Sequence, residues 1–207
     1  LTIRHGAPEA EDLYRQVGAA LKGLRAVTLP AFGYILGDGY LKAFDSNLGY
    51  MAAAFRVKFR DFAEIGGDPV LIRALEARVA AGAAAMAACD QAVLCHNDIH
   101  PGNVLVGQDA LGTWRVTGLL DLENATAADP LFDLAKALDQ VAHDHAPGRD
   151  PLLEGYGALG RADAWAAVRV YRVYHKLEMR NWLVAKGQDP ASPGPADLLA
   201  DLERLAG

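Results

Sequence analysis

Apolar residues recur at helical spacing along most of the chain, and short apolar runs replace that pattern in its middle. Leu13, Val17, Leu21 and Leu24 lie three or four residues apart, which predicts an amphipathic helix. Pro8 followed by Glu9, Glu11 and Asp12 marks its start, with proline in the first turn and acids favoured by the helix dipole. Residues 48 to 64 read as a second helix. Gly66-Gly67 ends it, and Asp68-Pro69 caps a third, whose apolar face is Leu75, Val79, Gly82 and Met86, with the small residues 83 to 85 allowing close helix packing. Asp129-Pro130 repeats the cap-then-proline device ahead of Leu131, Leu134, Leu138 and Val141. The longest helical pattern runs from 162 to 185, and a short one from 195 to 205 closes the chain.

Between these helices the pattern changes. The stretch from 29 to 39 carries Pro30, Gly33, Gly37 and Gly39 and reads as a loop or irregular connection. Ala92-Val93-Leu94-Cys95 is a short apolar run suited to a buried strand. Residues 103 to 106 and 114 to 120 flank a turn containing Gly107, Asp109 and Gly112, which predicts a β-hairpin. No repeat is evident. The expected fold class is α+β, mainly helical around one small hairpin.

Composition narrows this picture. A chain of 207 residues that is 52% hydrophobic can bury a sizeable core. With 22% charged residues and no polar low-complexity tract, it reads as globular. Its longest apolar stretches, such as 79 to 89, are too short to span a bilayer, so no membrane partner is expected. No basic and apolar leader opens the chain, and the expected location is cytoplasmic. The chain opens on Leu1, from which an upstream N-terminus is expected. Cys89 and Cys95 lack the C-x-x-C spacing and read as reduced, buried thiols.

Net charge is −6, concentrated between Asp121 and Glu154, where eight acids face only Lys136 and Arg149. A basic stripe, expected of a nucleic-acid binder, is missing. Such an acidic run suits a cationic ligand or a divalent metal, although a solvated helix face explains its outer members equally well. His143 and His145 end a helical stretch, where positive charge is favoured.

Candidate chemistry gathers in His96-Asn97-Asp98-Ile99-His100-Pro101-Gly102-Asn103. Pro-Gly excludes a continuous helix here, so Asp98 and Asn103 sit on a loop held by the hairpin. At the hairpin's far end, Leu119-Leu120 runs into Asp121-Leu122-Glu123. Two carboxylates and an amide leaving neighbouring strands can converge on one point. Phosphoryl transfer asks for that set, because it needs positioning and charge neutralisation more than covalent chemistry. Asp98 fits the carboxylate that orients an acceptor hydroxyl and takes its proton. Asn103 and Asp121 fit the hard oxygen ligands of Mg²⁺. His96 reads as a packing and hydrogen-bonding support for the loop, as does His100. A zinc site from His96, Asp98 and His100 lacks helical ligand spacing.

This segment resembles the catalytic loop of the aminoglycoside phosphotransferase and choline kinase family, relatives of the protein kinases, which share the five-residue step from catalytic Asp to metal-binding Asn. Asp121 stands where protein kinases have the Asp of Asp-Phe-Gly. Ala128-Asp129-Pro130-Leu131-Phe132-Asp133-Leu134-Ala135 resembles the family's next block, which implies that Asp133 braces the loop through backbone hydrogen bonds. The resemblance is loose over the whole chain and close over residues 92 to 135. It implies the protein-kinase-like C-terminal lobe over residues 1 to 207, with ATP (or GTP) and Mg²⁺ as cofactors and a small, cationic, aminoglycoside-like molecule with a free hydroxyl as acceptor. Glu123, Asp139, Asp144, Glu154 and Glu178 are candidate acceptor contacts, and some of Trp165, Tyr171, Tyr174, His175 and Trp182 could face the acceptor beside Glu178. The family's N-terminal β-rich lobe, with its phosphate-covering loop and nucleotide-gripping Lys, has no match: Lys22 lies in a helix, Lys42 follows the Gly-rich turn, and Gly37-x-Gly39 is too short for a phosphate loop. The expectation is that this lobe is missing from the chain. Two other readings stay open, a non-catalytic binding relative and a metal-dependent hydrolase built on the same acids.

Overall fold

Ser46, Asp68 and Asp129 set three helix starts in the computed structural model, which describes residues 8–140 and 148–207. Ser46 Oγ accepts from the Gly49 N–H, Asp68 Oδ1 from Val70 and Asp129 Oδ1 from Leu131. Each bond satisfies an amide that the first helical turn leaves unpaired. Val141, His143, Asp144 and His145 lie outside the described residues.

In chain order, α1 (Pro8–Leu24) leads to β1 (Thr28–Leu29), β2 (Gly33–Leu36) and β3 (Gly39–Tyr40). Next come α2 (Asn47–Glu64), α3 (Pro69–Ala81), α4 (Ala83–Ala87) and β4 (Ala92–Cys95). The hairpin is β5 (Val104–Gln108) and β6 (Trp114–Leu119), followed by β7 (Thr126–Ala128) and α5 (Leu131–Gln140). The chain ends with α6 (Arg149–Tyr156), α7 (Ala164–Ala185) and α8 (Pro193–Ala206). Two compact units result, Leu1–Ala43 with Gln91–Ala162, and Phe44–Asp90 with Asp163–Gly207.

The first unit corrects the expectation of a single small hairpin. The stretch expected to be a loop supplies three strands of a five-stranded antiparallel sheet, in the order β1-β4-β7-β2-β3. Its glycines mark bends and turns within paired strands. Gly33 has φ 145°, and a Cβ there would lie 2.3 Å from the Lys42 carbonyl oxygen, yet Gly33 pairs with Ala127. Gly37, at φ 61°, turns the chain from β2 into β3 without the Cβ clash of left-handed backbone. The hairpin β5–β6 forms as expected, with a bulge between Leu105 and Val106. Asp109 closes its turn, accepting from the Leu111 and Thr113 amides.

Helix α6 is a further element that the pattern did not predict, since only Leu152 and Tyr156 supply large buried apolar groups on it. It packs on α1 at very short range. A Cβ on Gly18 would lie 2.1 Å from the Leu152 carbonyl oxygen, and one on Gly155 1.8 Å from that of Arg15. Leu13, Val17 and Leu21 of α1 are buried, as are Leu131, Leu134 and Leu138 of α5.

The second unit is all helical. The single third helix expected from the sequence is two, broken at Gly82, where a Cβ would meet Val170 Cγ2 at 2.2 Å. Leu71, Leu75 and Met86 join Met51, Phe55 and Phe62 of α2 and Tyr171 and Leu177 of α7 in its core. Asn47, fully buried, donates to the Met86 carbonyl and to Tyr171 Oη. Lys176 reaches Asp201 at 2.6 Å and ties α7 to α8. Burial would raise the Asp201 carboxyl, but Lys176 and nearby arginines outweigh it and hold it below its usual range. Tyr171, Tyr174 and His175 are core residues, whereas Trp165 and Trp182 are 37% and 54% exposed.

Candidate active site

Strand β4 delivers the chain into His96, and α5 catches it there. The Asp133 carboxylate accepts from the His96 and Asn97 backbone N–H groups at 2.6 and 2.8 Å. Asn97 then takes a left-handed conformation, φ 59°, which asparagine tolerates better than most residues. This turn presents Asp98 from the loop. Asp133 thus makes two hydrogen bonds to the backbone of this loop.

His96 is fully buried and ties the loop to the end of the hairpin. Its Nε2 lies 2.7 Å from the Leu120 carbonyl oxygen, while Nδ1 takes the Asp98 amide at 3.2 Å. A carbonyl only accepts, so the ring carries its hydrogen on Nε2 and is an acceptor at Nδ1. His100 opens the following tight turn: its Nδ1 accepts from the Gly102 N–H at 3.1 Å, and its carbonyl accepts from the Asn103 N–H. Both histidines thus hydrogen-bond to backbone groups of the loop and the hairpin end. With both His96 nitrogens engaged, the zinc triad has no free ligand there, and among the described residues no cluster of three or more His, Cys, Asp or Glu is placed to hold a metal.

Asn103 folds back onto Asp98. Its Nδ2 donates to the Asp98 carbonyl at 2.9 Å and lies 3.4 Å from the Asp98 carboxylate. The amide is thereby oriented with Oδ1 accepting no hydrogen bond among the described residues. Leu120 is held on both sides, its N–H by the Asn103 carbonyl and its carbonyl by His96. The next residue, Asp121, has φ 65° and an exposed side chain that makes no hydrogen bond or ion pair among the described residues. Asp98 and Asn103 are in direct contact, and Asp121 is tethered through Leu120 to Asn103 and, by way of His96, to Asp98. One free carboxylate and one free amide oxygen are donors of the type Mg²⁺ selects, so the residues present fit that ion.

Two contributors escaped the sequence reading. Tyr34 on β2 donates its hydroxyl to the Glu123 carbonyl at 2.8 Å, while Asn97 Nδ2 donates to the Asn124 carbonyl, and together they hold the segment after Asp121. Lys136 on α5 reaches the Asn97 carbonyl at 2.5 Å and the Asp98 carboxylate at 3.5 Å. The available signal was a lysine three residues after Asp133, on a helix whose other positions are almost all buried.

The acidic run divides among separate roles. Asp129 is fully buried against Arg161 at 2.6 Å, and Glu154 is exposed and paired with Arg15 at 2.8 Å. Asp139 is buried on α5, and Glu123 is exposed. Asp144 lies outside the described residues. Glu178, in the second unit, pairs with Lys58 at 3.1 Å and accepts from Tyr174 Oη. Burial, reinforced by the Glu178 charge, pushes the Tyr174 phenol well above its usual range.

Residues 2–171 match the model of the phosphotransferase enzyme family. The chain belongs to that family. This phosphotransferase-family chain is 39% identical over 71 residues to an aminoglycoside 3'-phosphotransferase of Streptomyces fradiae, a match covering 32% of the chain and 25% of the relative's length. It therefore aligns with about a quarter of that curated relative. Among solved structures, it superimposes on a thermostable mutant of aminoglycoside phosphotransferase APH(4)-Ia in ternary complex with AMP-PNP and hygromycin B. There the TM-score is 0.70 at 16% identity, over 96% of this chain and 65% of that one. A choline/ethanolamine kinase family protein from Mesorhizobium loti gives a TM-score of 0.60 at 18% identity, over 93% and 60%. The fold is that of these kinases, as the resemblance implied.

Proposed function

We propose that this phosphotransferase-family chain carries the base and the metal ligands of an enzyme that moves the γ-phosphoryl group of ATP or GTP to a hydroxyl of a small cationic acceptor. The observation that supports it most is the contact between Asp98 and Asn103 on a loop whose backbone is pinned by Asp133, with Asp121 tethered alongside. Asp98 orients the acceptor hydroxyl and takes its proton as the oxygen attacks phosphorus. Asn103 Oδ1 and the Asp121 carboxylate hold Mg²⁺, which when bound neutralises charge on the phosphate oxygens. His96, Asn97 and Asp133 keep these groups in register before substrate arrives, which spares reorganisation during transfer.

An aminoglycoside-like acceptor is supported by the curated relative's name and by the hygromycin B present in the aligned ternary complex. AMP-PNP in the same complex supports ATP as donor. Glu123, exposed two residues beyond Asp121, is the acid we assign to a cationic group of the acceptor. The test is Asp98→Asn in the full-length protein, with transfer from MgATP followed over a panel of aminoglycosides. We expect kcat to fall by about 10²-fold or more, the scale of lost general-base catalysis, with little change in thermal stability. A near wild-type kcat would remove Asp98 from this role.

A further inference from the structure

Lys136 is a charged residue in a setting that normally excludes one. Its side chain is only 7% exposed, and it sits on α5 among Phe132, Leu134, Ala135, Ala137 and Leu138, all buried. Burying an ammonium is costly unless its charge is paired and its protons find acceptors. Two of its acceptors belong to the candidate catalytic loop: the Asn97 carbonyl at 2.5 Å and the Asp98 carboxylate at 3.5 Å.

The geometry points to Lys136 as a positioning residue that fixes the carboxylate of Asp98 for proton acceptance, an inference that rests on the reading of Asp98 as the base. Asp133 and Lys136 stand one turn apart on α5, so both side chains leave the same face. Between them they hold both backbone polar groups of Asn97, the N–H going to Asp133 and the carbonyl to Lys136. The peptide joining Asn97 to Asp98 is thereby clamped, which sets the direction in which the Asp98 side chain leaves the backbone. The second contact of Lys136, to Asp98 Oδ1, then sets the rotation of the carboxylate itself. On the other side, Asn103 Nδ2 lies 3.4 Å from Asp98 Oδ2. The two oxygens are thus flanked from α5 and from the loop, while the carboxylate remains 25% exposed for a substrate to reach. A neutral side chain of the same length would pack in α5 but would leave Oδ1 and the Asn97 carbonyl without this donor.

The test is a double-mutant cycle in the full-length protein, using Asp98→Asn, Lys136→Met and both together, with transfer from MgATP to aminoglycosides including hygromycin B. Lys136→Met should lower kcat by about tenfold to a hundredfold, the weight of one charge-assisted hydrogen bond made in the reacting geometry. The KM values for MgATP and acceptor should stay within about twofold, since substrate binding itself is not touched. The double variant should be no slower than Asp98→Asn alone, because Lys136 acts through Asp98. Lys136→Gln, which keeps a donor without the charge, runs in the same cycle if the Met variant does not fold. A wild-type kcat for Lys136→Met beside a crippled Asp98→Asn would overturn the inference and leave the base intact. Penalties that multiply in the double variant would also overturn it, since they would make Lys136 a mere support of the fold. An Asp98→Asn enzyme with normal kcat would instead sink the reading of the base.

Discussion

Replacing Asp133 with Asn tests whether the loop is held from α5. The carboxylate accepts two amides, at 2.6 and 2.8 Å, and the residue is buried. Asn keeps the shape but turns one acceptor into an NH₂ donor aimed at a backbone N–H. One of the two amides therefore loses its partner in a site water cannot reach, at about 1–3 kcal/mol. The other retains a neutral acceptor in place of a charged one, a further loss of about 1–2 kcal/mol. The sum, roughly 2–5 kcal/mol, corresponds to a local opening constant about 30- to 3,000-fold larger, at 1.4 kcal/mol per tenfold. Amide hydrogen exchange reads this directly, because His96 and Asn97 report the loop while the amides of α2 and α7 report the second unit. We expect the first pair to accelerate by that factor and the second set to keep its wild-type rates. Exchange at His96 and Asn97 within threefold of wild type would refute the reasoning, since the two bonds would then carry none of the loop's rigidity.

Two further outcomes follow from the same geometry. Gly155→Ala puts a methyl group 1.8 Å from the Arg15 carbonyl oxygen, so α1 and α6 must separate. Chemical denaturation should show a loss of about 1–3 kcal/mol or more, and an unchanged midpoint would mean that the helices do not approach at Gly155. Asp121→Ala removes an exposed carboxylate proposed to hold the metal and should raise the Mg²⁺ concentration needed for half-maximal transfer, more than Asn103→Ala, which removes a proposed neutral ligand. Superimposable Mg²⁺ titrations for both variants and wild type would count against the metal assignment.

Local chemistry was legible wherever a residue's neighbours in the chain determine its behaviour. Asp68-Pro69 and Asp129-Pro130 read correctly as helix starts because a cap acts on amides two residues away. The hairpin was legible because its turn is closed by Asp109 within a few residues. The spacing of Asp98, Asn103 and Asp121 was legible because the loop and the hairpin that carry them are consecutive.

What the sequence left hidden depends on partners far away in the chain. Tyr34 reaches Glu123 across 89 positions, and Gln16 and Arg15 of α1 hold β6 and α6 across still more. The strand character of 33–36 shows only when β7 arrives to pair with it, because two short strands rich in glycine have no stability or periodicity of their own. The α1–α6 crossing likewise turned Gly18 and Gly155 from helix-weakening residues into ones whose missing Cβ permits that approach. Lys136 is the sharpest case. By itself it is one positive charge in an acidic run, and only the folding of α5 against the loop gives that charge an acceptor, a direction and a role. The sequence by itself determined which side chains have the chemistry proposed for binding a metal or taking a proton. The tertiary structure decided which of them meet, because burial and the pairing of distant backbone groups set the energies that a linear pattern cannot express.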